Sequence, residues 1–307
     1  MALTATRPEV RPLPAPTGRS RGYQWSARGF VAPGVLLVAV LLYLPLLWTV
    51  FLSFTSYDGL GDPEWVGLDN FGEMFADPGF LGSLGNTLLW VAGTLLIPVG
   101  LGLVLALLTW NLPGGAWLQL PFLLPYAVSG VGVATVWSFI LSGGGALDQA
   151  LGGLFWIEAP PRWLVDAPLN TIVMIVAAAW QGVGVNALLF TIGLHSIPKE
   201  PLEAARLDGA TGLRLFTGIV WPMLRPLTTV VVGLSIVASL KTFDLVQVMT
   251  KGGPGRASET LALTMYKETF VNSDYGLGSA IALLLAIVTL LASVLYLRRQ
   301  LSQKLEV

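Results

Sequence analysis

The sequence predicts an all-α membrane protein with six transmembrane helices and both termini in the cytoplasm. Three observations carry this. Hydrophobic residues make up 54% of the 307-residue chain and charged residues 11%, against roughly 25% charged in a soluble domain. The charges leave long uncharged windows at 30–57, 78–147, 167–194 and 275–297. The basic residues also favour one set of connecting segments. The windows are continuously apolar rather than alternating, which excludes a β-barrel. A mean hydropathy of +0.72 excludes a soluble or disordered chain.

The spans follow in order. A helix needs about 20 apolar residues to cross a hydrocarbon core of about 30 Å. The first window holds one span at 30–54. The second is too long for one span and is divided by Asn111-Leu112-Pro113-Gly114-Gly115, a turn sequence, giving spans at 86–109 and 117–141. The third window holds 170–193 and the last 275–297. A further span at 217–240 takes in Pro222, Arg225 and Pro226, with Arg225 near one end, where its stem reaches the headgroups. Residues 1–29, rich in Arg and Pro, form a cytoplasmic tail that the composition predicts to be disordered. Residues 30–300 form the membrane domain.

Six spans place the tail, the segment 194–225 and the C-terminus on one side, with twelve basic residues against five on the other. The positive-inside rule makes that side cytoplasmic. The first outer loop carries Asp58, Asp62, Glu64, Asp69, Glu73 and Asp77 and no basic residue. Tryptophans near span ends, among them Trp137, read as interfacial anchors.

Several chemistries are excluded. The net charge is −1, there are no cysteines, and His195 is the one histidine. Disulfides, thiol nucleophiles and Cys-type metal sites are therefore absent. No metal site and no catalytic cluster is predicted. There is no G-x-x-x-x-G-K-[ST] phosphate loop. Leu141-Ser142-Gly143-Gly144-Gly145 reads as a turn, and His195 as a surface histidine.

The informative segment lies between the fourth and fifth spans, from Ser196 to Pro222. Pro201 suits the first helical position and Glu203 the third. Gly209 suits a left-handed C-cap, and Thr211 can cap a second short helix. The result is a helix–Gly–helix elbow at 196–216. Ala204 and Ala205 are small enough for a partner to approach the backbone. On shape alone this could also be an ordinary amphipathic loop helix.

Glu203-Ala204-Ala205, three residues, Gly209, nine residues, Ile219, one residue, then Trp221-Pro222 resembles the EAA signature of ABC-importer permeases, with Trp221 where that pattern has Leu. Val66-Gly-Leu-Asp-Asn-Phe71, Trp163-Leu-Val-Asp166, Asp208-Gly209-Ala210 and Phe243 to Pro254 resemble the carbohydrate-uptake branch of that family, the maltose-type and glycerol-phosphate-type permeases. The likeness runs from about residue 30 to 300. It implies the type I importer permease fold and a division of labour. This chain would be one half of a two-subunit pore, most simply a heterodimer. Two ATP-binding subunits would dock on Glu203, Ala204, Ala205 and Gly209, and would carry the ATP and Mg. An extracytoplasmic solute-binding protein would meet an outer scoop at Gly252, Gly253 and Pro254. The chain itself would be a non-enzymatic permease of the cell membrane, importing a sugar or related polyol by alternating access.

The alternative is an ion-coupled secondary carrier for a small neutral solute. Such carriers tend to place ionisable residues in their spans, and the six spans hold none near the midplane. A polyol route needs amides, hydroxyls and aromatic faces. Trp180, Gln181, Asn186, Ser235 and Ser239 offer these, with Lys241 and Asp244 at the outer end of the fifth span. The same polar residues could equally serve as contacts between helices.

Overall fold

A computed structural model describes residues 21–155 and 159–304; for residues 21–27, 297 and 299–304 it describes the backbone alone. The chain divides into two compact units, Met1–Trp48 and Thr49–Val307. In the first unit, α1 (Arg21–Val38) passes through a π-helical turn at Ala39–Tyr43 into α2 (Leu44–Leu52). The chain is already helical at Arg21, inside the segment expected as tail; residues 1–20 lie outside the described residues.

In the second unit, β1 (Thr55–Ser56) and β2 (Glu64–Trp65) form a small antiparallel ribbon. α3 (Asp69–Ala76) follows, then α4 (Pro78–Thr94). Asp77 sets the start of α4: its carboxylate accepts the N–H groups of Gly79 at 2.8 Å and Phe80 at 3.0 Å. Pro78 occupies the first turn, where no N–H is required. The helix therefore starts eight residues before the expected span at 86. It runs on through a π-turn at Leu95–Val99 into α5 (Gly100–Thr109). Pro98 lies inside that turn; it has no N–H to donate, and the hydrogen-bond register widens around it.

The expected third span is not one straight helix. α6 (Gly115–Leu123) and α7 (Gly130–Leu141) are bent by 96° at the break between them. Pro121 lies in α6 and Pro125 in the 3₁₀ turn Leu124–Ala127. Val128 and Ser129 then adopt extended backbone, and the Ser129 hydroxyl accepts the Gly132 N–H at 3.1 Å to start α7 afresh. The described residues hold five helices long and apolar enough to cross a membrane, or six with this bent pair. α8 (Ala146–Phe155) precedes α9 (Leu169–His195), the long central helix.

After α9 come α10 (Lys199–Leu207), α11 (Gly212–Leu215), a π-turn at Phe216–Val220 and α12 (Trp221–Leu240). The segment 241–274, between the expected spans 217–240 and 275–297, is half helical. It holds α13 (Asp244–Met249), α14 (Leu261–Tyr266) and a π-turn at Lys267–Val271, ahead of α15 (Tyr275–Lys304).

Three buried clusters organise the second unit. One gathers Trp90, Met174 and Ile175 with Leu245, Val246 and Leu263. A second joins Phe190, Leu194, Ile197 and Leu202 to Val220 and Leu224. The third packs Met74 and Phe80 against Leu261 and Ile281. α9 serves the first two from its opposite ends, so the same rod supports α13 and the elbow.

Candidate functional site

The elbow is built by α10 and its stop. Pro198 flanks the helix and Lys199 begins it, so Pro201 is the third helical residue and Glu203 the fifth. Both sit two positions later than the sequence suggested. Pro201 is tolerated because the first N–H groups of a helix have no intrahelical acceptor. Glu200, not Glu203, is the acidic residue of the first turn. Gly209 has φ +80°. Its N–H donates to the Arg206 carbonyl at 3.0 Å, and that of Ala210 to the Ala205 carbonyl at 2.9 Å. This pair of bonds is the Schellman arrangement, which requires the left-handed residue. No atom lies within 4 Å of where a Cβ on Gly209 would sit, so the demand is conformational rather than steric. Thr211 stands at the cap of α11, but its side chain makes no capping bond.

Leu202 and Ala205 are buried beneath α10, while Glu203 and Ala204 are exposed. Ala205 therefore faces the body of the protein, and the surface open to a partner is Glu203, Ala204 and the nearby apolar tips of Leu207 (90% exposed) and Leu213 (77%). Beneath the elbow a cleft of about 370 Å³ is lined by Glu203, Arg206, Lys199, His195, Trp110 and Asn111 among others. His195 is exposed, with Nδ1 at 2.8 Å from the Thr191 carbonyl oxygen.

At Gly252-Gly253-Pro254 the chain makes a compact turn. Lys251 and Arg256 have positive φ, as do Gly252 and Gly255. The Ser258 hydroxyl donates to the Gly253 carbonyl at 2.7 Å and lies 2.8 Å from the Thr250 hydroxyl. Side chains distant in sequence pin the segment that follows. Asn86 donates to the carbonyls of Ala257 and Glu259 at 2.9 and 3.0 Å, and the Leu261 N–H donates to the Thr87 hydroxyl at 3.0 Å.

A charged chain of contacts holds the same turn. Arg256 donates to Asp77 at 2.8 Å and lies 3.4 Å from Glu259, whose other oxygen accepts from Lys267 at 2.8 Å. The Glu259 side chain is 1% exposed. Burial alone raises the Asp77 pKa, but the Gly79 N–H, the hydrogen bond and charge of Arg256 and the Phe80 N–H outweigh it, so the carboxyl sits below its ordinary value. Burial alone lowers the Arg256 pKa; the Asp77 hydrogen bond and the charges of Glu259, Asp77 and Glu268 reverse that and raise it.

The residues expected along a solute path do not converge on one polar cavity. Trp180 packs edge-on to Trp137 at 6.3 Å, and both line an apolar cavity of about 560 Å³ with Leu101, Phe122 and Val183. Trp137 is thus a wall residue rather than a free anchor. Gln181 donates to the Val128 carbonyl at 2.6 Å, satisfying a group left open where α6 and α7 part. Asn186 donates to the Gly182 carbonyl at 2.9 Å. Ser235 and Ser239 are buried, and the Ser239 hydroxyl returns to the Ser235 carbonyl at 2.7 Å. Lys241 is exposed beside a separate groove. Asp244 stands against Gly130 at the start of α7, its carboxylate oxygen 3.3 Å from where a Cβ would lie.

Sequence reasoning missed Asn86, Thr87 and the Asp77–Arg256–Glu259–Lys267 chain. Its signal was faint: one amide in an apolar run and four charges scattered through what read as loops. It also missed the buried Gln119 amide, which donates to the Thr109 and Thr191 hydroxyls at 2.5 and 2.9 Å.

Membrane-length helices, with an exposed elbow at one end of the central helix, define a polytopic helical membrane protein. Residues 98–307 match the family described as the binding-protein-dependent transport system inner membrane component, and the chain belongs to that family. It is 34% identical over 275 residues to a probable ABC transporter permease of Pyrococcus horikoshii, covering 87% of this chain and 93% of that one. It is equally 34% identical to an osmoprotective compounds uptake permease of Synechocystis (88% and 97% covered). A multiple sugar-binding transport system permease of Streptococcus mutans is 32% identical (92% and 97% covered). Among solved structures, the fold matches a chain of a bacterial alginate ABC transporter in complex with alginate pentasaccharide-bound periplasmic protein. The TM-score is 0.77 at 20% identity, with 90% and 93% of the chains covered.

Proposed function

We propose that this chain is the membrane permease half of an ATP-driven importer that moves a sugar or related polyol into the cytoplasm. It receives solute from an extracytoplasmic binding protein, pairs with a second permease subunit, and is driven by two ATP-binding subunits that hold the ATP and Mg. Both termini and the elbow face the cytoplasm, and the turn at Gly252–Pro254 faces outward. Family membership and the sugar and osmolyte permeases among its relatives support this reading over an ion-coupled carrier.

The observation that carries the coupling role is the anchoring of α10. Leu202 and Ala205 fix one face, the two bonds at Gly209 fix the end, and Glu203 and Ala204 stand free on the other side. A push on that face passes to α9 and α12 through the buried cluster that Leu202 shares with Ile197, Leu194 and Leu224.

The test uses Glu203→Lys and Gly209→Pro. The first reverses an exposed charge; the second removes both the positive φ and the N–H donated to Arg206. Both variants should insert into the membrane and purify monodisperse, yet lose co-purification of the ATPase or its stimulation by solute. Wild-type behaviour of both variants in both assays would refute the coupling role.

A further inference from the structure

The cleft beneath the elbow holds charges that neither the packing of α10 nor its exposed face uses. Its volume, about 370 Å³, falls within the range of about 300–1,000 Å³ usual for small-molecule sites. Buried Leu194, Ile197 and Leu202 line its floor. Lys199 and Arg206 line it as well, both exposed and two turns apart on one flank of α10. Glu203 lies on the same row, at the spacings from Lys199 and Arg206 at which helical ion pairs form. Yet neither cation makes an ion pair or a side-chain hydrogen bond among the described residues.

Trp110 and Asn111, which follow α5, bring an indole ring and an amide to the same space. His195 also lines it, with Nδ1 spent on the Thr191 carbonyl. Two open cations against one carboxylate select an anion. A ring and an amide beside them suit an anion that carries an uncharged polar body. Ala204, Leu207 and Leu213, the exposed face offered to a partner subunit, do not line the cleft, so a subunit seated on that face need not fill it.

We propose that this cleft is a binding site for a small phosphate ester, with the phosphate held by Lys199 and Arg206 and the body of the molecule against Trp110 and Asn111. That it draws the ester from the cytoplasm rests on the topology proposed above. The floor belongs to the cluster that joins α10 to α9 and α12, so an occupant bears directly on the elbow.

The test is equilibrium binding of glucose 6-phosphate to the nucleotide-free complex in detergent, by calorimetry, with inorganic phosphate and glucose as comparisons. Lys199→Ala and Arg206→Ala should each weaken binding of glucose 6-phosphate about tenfold, the worth of one hydrogen bond to a charged group, and Lys199→Arg should preserve it. Glu203→Gln should tighten it by removing the competing charge. Trp110→Ala should weaken glucose 6-phosphate more than inorganic phosphate. Lys199, Glu203 and Arg206 are exposed, so these variants should fold as the wild type does. No binding by the wild type at millimolar concentration, or unchanged affinity in both Lys199→Ala and Arg206→Ala, would overturn the proposal. So would loss of ATPase co-purification from those two variants, which would give the cleft to the partner subunit instead. The measurement reads ligand alone, so its failure would leave the docking test with Glu203→Lys and Gly209→Pro to be decided separately.

Discussion

Lys267→Met should destabilise the protein by about 3 kcal/mol, and Glu259→Gln in the same chain should restore most of the loss. Glu259 is 1% exposed, and its one short contact is Lys267 at 2.8 Å; Arg256 stands off at 3.4 Å. Its Oε1 has no hydrogen-bond partner among the described residues. Removing Lys267 leaves a buried carboxylate without a hydrogen-bonded cation, and stranding one half of such a pair costs about 3–5 kcal/mol. The Lys267 side chain is 29% exposed and Arg256 remains nearby, which argues for the lower end. Neutralising both partners removes the charge that needed company, and Arg256 keeps Asp77 at 2.8 Å. The double variant should therefore lie within about 1 kcal/mol of wild type, near the neutral outcome typical of deleting a whole buried pair.

The assay is reversible unfolding in detergent–bicelle mixtures for the wild type, both single variants and the double, read as a double-mutant cycle. A coupling energy of about 2 kcal/mol is expected. A Lys267→Met cost below about 0.5 kcal/mol would match an ordinary surface substitution and refute the argument, as would additive singles. Solute uptake should track the same order, because Glu259 lies beside Gly252, where an added Cβ would come within 3.2 Å of the glutamate Cβ.

Three further outcomes follow. The stability difference between wild type and Asp77→Asn should be constant from about pH 8 to 5 and shrink only below about pH 4, because a carboxyl with lowered pKa stabilises the fold above its unfolded value of ~3.9 and loses that contribution as pH falls through the folded one; thermal scans across pH check this, and a decline already under way at pH 6 would contradict it. Gln181→Leu should cost about 0.5–1.5 kcal/mol, the net worth of one hydrogen bond at an exposed site, and hydrogen exchange should quicken at the start of α7. Gly209→Ala should cost about 1–2 kcal/mol through its φ of +80° and weaken ATPase-coupled uptake without changing membrane insertion, whereas Ala204→Gly should leave the elbow's geometry intact by circular dichroism.

Five helices were legible in the sequence because apolar transfer penalises every charge in a span, so charge-free windows mark them directly. The elbow was legible for a different reason. A left-handed residue after a helix is nearly a glycine monopoly, so Gly209 announced itself. The break between α6 and α7 was hidden, because Pro121 and Pro125 lie in a run whose composition still suits a span. Only the backbone shows that Val128 and Ser129 turn out of the helix. Gln181 was visible as a polar residue in a span, but its partner lies 53 positions away, and no local pattern encodes that. Glu259 read as a loop charge because its cover comes from Asn86 and α4, more than 170 positions upstream.

The geometry of α9 explains how two distant features act on one body. Four of its contacts are close approaches at a glycine, two of them against backbone. Gly182 meets Pro98, Gly184 meets the Phe122 backbone, Gly193 meets Leu224 and Leu227, and Gly102 of α5 meets Asn186 and Ala187. α9 is thus keyed at backbone distance to α5 and α6, and through side chains to Pro98 and to the leucines of α12. Close-packed contacts of this kind transmit displacement instead of absorbing it. The departures from regular helix lie elsewhere: in the α6–α7 break, which Gln181 of α9 spans with one hydrogen bond, and in the π-turns at Leu95–Val99 and Phe216–Val220. Motion imposed at α10 would move α9 as a rod, and α7, with α13 packed on it, would respond at the break. Two polar residues of the central helix take part in this framework: Gln181 donates to the Val128 carbonyl at the break, and Asn186 donates to the Gly182 carbonyl one turn back on α9.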